Sequence, residues 1–241
     1  MENQTELIEL LKQGAAEFNI DLQNEHVQKF WDYKELLIEW NKKINLTAIE
    51  DDREVVIKHF VDSLSVLKHI KDEEQKIIDV GTGAGFPGIP IGIVYKNANI
   101  VLLDSLDKRI KFLNEVISRL ELKKVTAVHG RAEDMGVKEE YREKFDVAVA
   151  RAVASLPVLL EYCLPFVKVD GLFIAMKGSS IDEVKESGRA LSELGGEIVD
   201  IKEFVLPFTD AKRNIILIKK FRHTPTKYPR KAGKPSKIPL I

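Results

Sequence analysis

The chain has 241 residues, of which 44% are hydrophobic and 31% charged, with a formal net charge of −1. This is the balance of a globular domain, not of a disordered or fibrous chain. Its longest nearly uninterrupted apolar stretch, Phe86 to Tyr95, is too short to cross a bilayer, and its single cysteine, Cys163, excludes an intramolecular disulfide or a cysteine-based metal cluster. The opening segment MENQTELIELLKQ is acidic and amphipathic, without a basic start or an apolar signal core, so a cytoplasmic location is expected.

Residues 1–72 read as a helical extension. Asn24 is placed to cap a segment with apolar positions at Val27, Phe30, Trp31, Tyr33, Leu37, Ile38 and Ile44, close to a 3.6 period. Asp51 is placed to cap the next, with Val55, Val56, Phe60, Leu64, Leu67 and Ile70 on one side. From Gln75 the period changes, and short apolar runs alternate with amphipathic ones. Strands are predicted at 76–81, 99–105, 125–130, 145–152, 171–178, 197–207 and 213–221. Helices are predicted at 87–96, 107–121, 133–143, 156–168 and 181–194, the last opened by a Ser180/Glu183 capping box and stopped by Gly195-Gly196. Alternating strands and helices imply a parallel sheet covered on both faces. The last two strands leave no room for a crossover helix, so they must pair antiparallel. The expectation is an α/β, Rossmann-like methyltransferase core over 73–222, with a mixed seven-stranded sheet containing one antiparallel strand.

Residues 223–241 form a basic, proline-rich tail. Eight of the 37 basic residues, and none of the 38 acidic ones, lie from Lys219 onward, which suggests contact with a polyanion or a solubilising tail. Pro225, Pro229, Pro235 and Pro239 argue against a regular helix there.

The chemistry concentrates where strands end. Asp79-Val-Gly81-Thr-Gly83-Ala-Gly85-Phe86-Pro87-Gly88 follows the first strand and opens a helix, the place where such sheets bind ligands. A nicotinamide dinucleotide enzyme would want glycine at the sixth position, where Phe86 stands. S-adenosylmethionine has no phosphates and suits the loop better. Asp104 ends the second strand, where a carboxylate can accept ribose hydroxyls. Asp107 is placed to cap the following helix, leaving Asp104 free. His129-Gly-Arg-Ala132-Glu133-Asp134 ends the third strand beside the same crevice, with adenine contacts or helix capping both open. Arg151 ends the fourth strand and needs a partner: cofactor carboxylate, RNA phosphate, target base or a structural acid. His59 and Asp62 either line the site or form a surface pair at i,i+3.

These motifs resemble the bacterial 16S ribosomal RNA 7-methylguanosine methyltransferases, also called glucose-inhibited division protein B, across nearly the whole chain. The resemblance rests on Asn45-Leu-Thr-Ala-Ile49, His59-Phe-Val-Asp-Ser-Leu64, the glycine loop continued to Pro90, and Leu103 to Leu113. It also rests on Gly130-Arg-Ala-Glu133, Arg151-Ala-Val-Ala154, Met176-Lys-Gly178 and Tyr228-Pro-Arg-Lys-Ala-Gly233. It implies S-adenosylmethionine contacts at Gly81, Phe86, Ala132, Glu133 and Arg151, to which the loop and strand-end reading adds Gly83, Gly85 and Asp104. Arg151 is the expected catalytic residue, and no metal is expected. The expected RNA contacts are Lys177, Arg222, Lys227, Arg230 and Lys231, and a monomer acting on the small ribosomal subunit is expected.

The implied reaction is methylation of guanine N7, which carries a lone pair and no proton. No general base is then required, and alignment and exclusion of water are the enzyme's main tasks. Cys163 lies in an apolar helical pattern, so cysteine-activated methylation of a base carbon is disfavoured. No Asn-Pro-Pro-Tyr follows the fourth strand, which disfavours transfer to an exocyclic amine. The alternative from another class is a non-catalytic RNA-binding scaffold.

Overall fold

The near-continuous apolar runs from Lys76 onward become strands, and those in the middle of the sheet are buried on both faces. The computed structural model describes residues 3–179 and 182–241. Seven strands, β1 (Lys76–Val80), β2 (Asn99–Asp104), β3 (Val125–His129), β4 (Phe145–Arg151), β5 (Val167–Lys177), β6 (Gly196–Val205) and β7 (Lys212–Lys220), form one sheet in the order β3-β2-β1-β4-β5-β7-β6. β7 runs antiparallel to both of its neighbours, β5 and β6, and every other pairing is parallel. The reversed strand therefore lies inside the edge, inserted between β5 and β6. Parallel register such as Asp79↔Leu102 and Asp104↔His129 brings the carboxyl ends of β1, β2 and β3 level, which gathers their loops on one rim.

Alternation along each strand divides two cores. Ile77, Val147 and Val149 face the layer built by α1 (Gln4–Ala16), α2 (Asn24–Ile44), α5 (Gly88–Val94) and α6 (Asp107–Arg119). Ile78, Ala148 and Ala150 face α8 (Leu156–Cys163) and α10 (Gly188–Leu194), with Tyr228 and Leu240 of the carboxyl-terminal segment in the same cluster. The amino-terminal helices share the first core with the sheet, through Phe30, Tyr33, Phe60 and Leu64 among others.

Between α2 and β1 the chain passes through α3 (Asp52–Val55), a single π turn (Val56–Val61), α4 (Asp62–Leu64) and a 3-10 turn (Ser65–His69). Asp51 caps α3 as expected, accepting from the Glu54 amide at 2.9 Å. Asn24 is the first residue of α2, and the cap position falls to Gln23.

Several predicted helices are shorter than their patterns. The 156–168 helix ends at Cys163 because Pro165 cannot continue it, and β5 begins at Val167, four residues before the predicted start. The 133–143 helix shrinks to α7 (Ala132–Met135), ended at Gly136. The 181–194 helix divides at Ser187 into α9 (Glu183–Glu186) and α10. The proposed capping residue Ser180 lies outside the described residues. The tail does contain one helical turn, α11 (Lys234–Lys237), with Pro235 near its start, where a missing amide costs nothing.

Candidate functional site

Two cavities open along the carboxyl rim of the sheet. The first, of about 400 Å³, is walled by the ends of β1 to β4, including Gly81, Asp104, Ser105, Arg109, Ala132, Glu133 and Ala152. That volume is within the usual range for small-molecule sites, ~300–1,000 Å³. Gly81 turns the chain out of β1 at φ +71°, and a Cβ there would come within 2.9 Å of the Val153 side chain, so this close approach of two loops requires glycine. Asp79 holds the loop from beneath. Its Oδ2 accepts from the Thr82 hydroxyl at 2.6 Å and the Gly88 amide at 2.8 Å, and burial pushes its carboxyl up to about 6.

Asp104 stands in the cavity wall but is not free, as the sequence suggested. Its Oδ2 accepts from the Gly83 amide at 2.9 Å and the Arg109 guanidinium at 3.2 Å, and its Oδ1 accepts from the Leu106 amide at 3.0 Å. The carboxylate thus fastens the glycine loop to the start of α6 as well as facing the cavity. Gly83 contributes to that fastening. Gly85 and Phe86 stand behind the cavity: Gly85 faces Ile89, Tyr33 and Leu113, and Phe86 is buried among Tyr33, Phe60 and His59. The Phe86 ring is a floor for other groups and not part of the cavity lining.

Glu133 is in the wall, 8% exposed, and its Oε1 accepts from the Gly233 amide at 2.8 Å. The carboxyl-terminal segment therefore reaches the first cavity, and Gly233 and Ser236 line it with Tyr162 of α8. The segment is anchored along its length. Arg142 donates to the carbonyls of Thr224 at 2.7 Å and Tyr228 at 2.8 Å. The Tyr228 hydroxyl donates to Glu193, and Arg230 grips the buried Glu161 carboxylate, with Nη2 to Oε2 at 2.6 Å.

The segment is therefore packed against the domain, and its basic residues differ in how they are engaged. Arg230, expected to contact RNA, is engaged by the buried Glu161 carboxylate through Nε and Nη2. Lys227 pairs with Glu193 at 3.4 Å but remains largely exposed. Arg222 lies over the Phe221 ring, with 5.7 Å to its centroid, and donates to the Ser192 carbonyl. Lys231 is exposed beside the first cavity's Gly233 wall.

The second cavity, about 360 Å³, holds Arg151 with Ile49, Lys58, His59, Asp62, Lys177 and Arg213. Arg151 meets Asp62 at 3.0 Å, the Lys58 carbonyl at 3.1 Å and His59 Nδ1 at 3.3 Å, and lies 4.9 Å above the Phe86 ring. Asp62 also accepts from Arg213 at 3.0 Å. The structural acid among the partners considered for Arg151 is thus present. It does not remove the arginine from the cavity wall. His59 stacks on Phe86 at 4.5 Å, and its Nε2 is 2.8 Å from the Thr47 hydroxyl. Burial and the Arg151 charge push the imidazole down to about 3. His59, in the π turn, and Asp62, at the start of α4, therefore line a site and are not a surface pair. Lys177 lines this cavity while paired with Glu183 at 2.8 Å and donating to the Ala154 carbonyl at 2.8 Å.

The two cavities meet at Ala152, which lines both and takes φ +54° directly after Arg151. Of the expected residues, the structure gathers Gly81, Asp104, Ala132 and Glu133 around one cavity and Arg151 and Lys177 around the other. It adds Asp79 and Arg213, which the sequence reading passed over. Asp79 opens the glycine loop and could have been singled out there. Arg213 had no local signal.

A glycine turn leaving β1, a carboxylate ending β2, and a sheet with β7 reversed between β5 and β6 define a Rossmann-like methyltransferase of class I. Solved structures share this fold. TYW2 of Pyrococcus horikoshii, in complex with MeSAdo, gives a TM-score of 0.52 at 15% identity, over 66% of this chain and 61% of that one. The fibrillarin pre-rRNA processing protein of Methanococcus jannaschii gives 0.50 at 20% identity, over 63% and 69%. The chain belongs to the rRNA small subunit methyltransferase G family, GidB, whose family model matches residues 26–216. It is 63% identical over 239 residues to ribosomal RNA small subunit methyltransferase G of Acetivibrio thermocellus, covering 99% of both chains. It is 56% identical over 235 residues to the protein of that name from Thermoanaerobacter sp., covering 97% of this chain and 98% of the relative.

Proposed function

We propose that this protein is an S-adenosylmethionine-dependent methyltransferase acting on N7 of a guanine in 16S ribosomal RNA of the small subunit. The observation that carries the reading is the pair of cavities sharing Ala152. One has the carboxylates and glycine turn suited to an adenosine moiety. The other has four basic side chains, Lys58, Arg151, Lys177 and Arg213, suited to a nucleotide. The residues of the first cavity fit the cofactor: Asp104 and Glu133 offer carboxylate oxygens to hydroxyl and amino donors, and Gly81 admits close approach of a ligand. When bound, S-adenosylmethionine supplies an activated methyl group.

The chain's own groups orient and shield. Asp62 fixes the planes of Arg151 and Arg213, and Phe86 supports Arg151 and His59 from below. His59, held neutral, adds no positive charge beside a base that itself becomes positive on methylation. The acceptor has no proton to lose, so no group in the second cavity needs to act as a base. We place Arg151 as the catalytic residue, positioning the base beside Ala152, with Lys177 at the cavity wall and Arg222, Lys227 and Lys231 as outer contacts to RNA phosphates. The protein acts as a monomer in the cytoplasm. Incubating it with labelled S-adenosylmethionine and small subunits lacking the modification tests this reading. Labelled 7-methylguanosine is expected after nucleoside digestion. Binding of RNA without transfer of label would instead make it a scaffold.

A further inference from the structure

The carboxyl-terminal segment is built into the cofactor cavity, and the reading of the cavity above does not explain why. Residues 224–230 are fastened three times, by Arg142, by Glu193 on Tyr228 and by Glu161 on Arg230. These anchors deliver the next stretch to the rim. There, Gly233 at φ +80° aims its amide at Glu133 Oε1, 100 positions earlier in the chain, at 2.8 Å, and Ser236 completes the wall. Glu133 Oε2 accepts no hydrogen bond from the described residues, so the bond to Gly233 holds the carboxylate with one oxygen left for a ligand. A carboxylate oxygen so held selects a donor, such as the exocyclic amino group of adenine, over an acceptor.

We propose that residues 230–237 are the adenine-side wall of the cofactor cavity, and that the Gly233 amide positions Glu133 to select the adenine amino group. This rests on the cofactor reading above. The segment is then a determinant of cofactor recognition as well as a carrier of basic side chains.

Two substitutions in the full chain test it, with binding measured by calorimetry. Gly233→Pro removes the amide donor and cannot adopt the positive φ. Ser236→Trp places an indole at the cavity mouth from an exposed position. The ligands are S-adenosylhomocysteine and S-inosylhomocysteine, in which a carbonyl replaces the amino group. The wild type is expected to prefer the first. Gly233→Pro should weaken S-adenosylhomocysteine binding about tenfold, the scale of one lost charge-assisted hydrogen bond, and shrink that preference. Ser236→Trp should also weaken binding, and its indole fluorescence should respond to the ligand. Wild-type affinity and preference in both variants would overturn the wall while leaving the cofactor reading intact. Equal loss of both ligands in Gly233→Pro would overturn the role of Glu133. Should Gly233→Pro not fold, Ser236→Trp decides: unchanged affinity with a silent indole overturns the proposal. Failure of the wild type to bind S-adenosylhomocysteine would overturn the cofactor reading and the wall with it.

Discussion

Asp62 and Arg151 lie 89 positions apart in the chain and meet at 3.0 Å, with Asp62 only 4% exposed. Arg213 binds the other oxygen of the same carboxylate at 3.0 Å. One buried acid thus sets two guanidinium groups at the edge of the second cavity.

Removing that acid should damage both stability and turnover. Asp62→Ala leaves two arginines without their counter-ion, and breaking a buried pair in this way costs about 3–5 kcal/mol. Asp62→Asn, which keeps the shape, is expected to fold with a lower melting temperature and with turnover reduced at least about tenfold, as one misplaced guanidinium would do. Thermal melts and methyl-transfer assays on the two variants check this. Full activity in Asp62→Asn would show that the arginines need no such alignment.

Arg151→Lys should lose most activity, because an ammonium cannot reproduce a planar fork that meets Asp62, a carbonyl and an aromatic face at once. S-adenosylhomocysteine affinity should stay within a few-fold of wild type, since Arg151 lines the second cavity and not the first. Near-normal turnover with lysine would return Arg151 to a structural role.

Asp104→Ala should weaken S-adenosylhomocysteine binding by about 10- to 100-fold, from charge-assisted contacts worth roughly 1.5–3 kcal/mol. It should also lower the melting temperature, because the Gly83 and Leu106 amides and Arg109 lose their acceptor. Calorimetry showing unchanged affinity in a folded variant would take Asp104 out of the site.

The His59 imidazole is held down to about 3 against an ordinary value of 6.5. Between those values the unfolded chain binds a proton that the folded chain does not. Stability from this group is therefore present above about 6.5 and falls as acid is added through that window. Asp79, raised from 3.8 to about 6, has the opposite sign: the folded chain holds its proton, and stability declines as pH rises between those values. Comparing urea midpoints of wild type and His59→Gln from pH 7 to 4 isolates the histidine. The wild type should lose more stability than the variant, and parallel curves would show that His59 does not titrate this way.

The carboxyl-terminal cations should separate into two kinds. Arg230→Ala strands the buried Glu161 charge and should lower stability by about 3–5 kcal/mol. Lys231→Ala should leave the melting temperature unchanged while weakening RNA binding and reducing its salt slope by about 1. An unchanged slope would remove Lys231 from the RNA contacts.

Much of the architecture was legible because strands buried on both faces write themselves as apolar runs, and the reversed β7 followed from the short Pro207–Lys212 connection. Helix ends were less so. In LPVLLEYCLPF apolar residues surround the single charged one, Glu161, so periodicity could not mark a stop, although Pro165 was a signal available to read. The first cavity's glycine and strand-end residues are local motifs and were found. What stayed hidden depends on distance. Nothing near Asp62 announces Arg151 or Arg213, and nothing near Glu133 announces Gly233. Charge counted along the basic tail also does not reveal which cations are already paired, as Arg230 is with Glu161.

The place of residues 228–237 in the fold also makes the ligand chamber sensitive to trimming. Every strand of the sheet lies before Tyr228, whereas Gly233 and Ser236 line the first cavity and Arg230 braces them through Glu161. A protease that shortened the chain from its carboxyl end to Tyr228 would therefore remove no strand, yet it would take away one wall of that chamber and strand the Glu161 carboxylate.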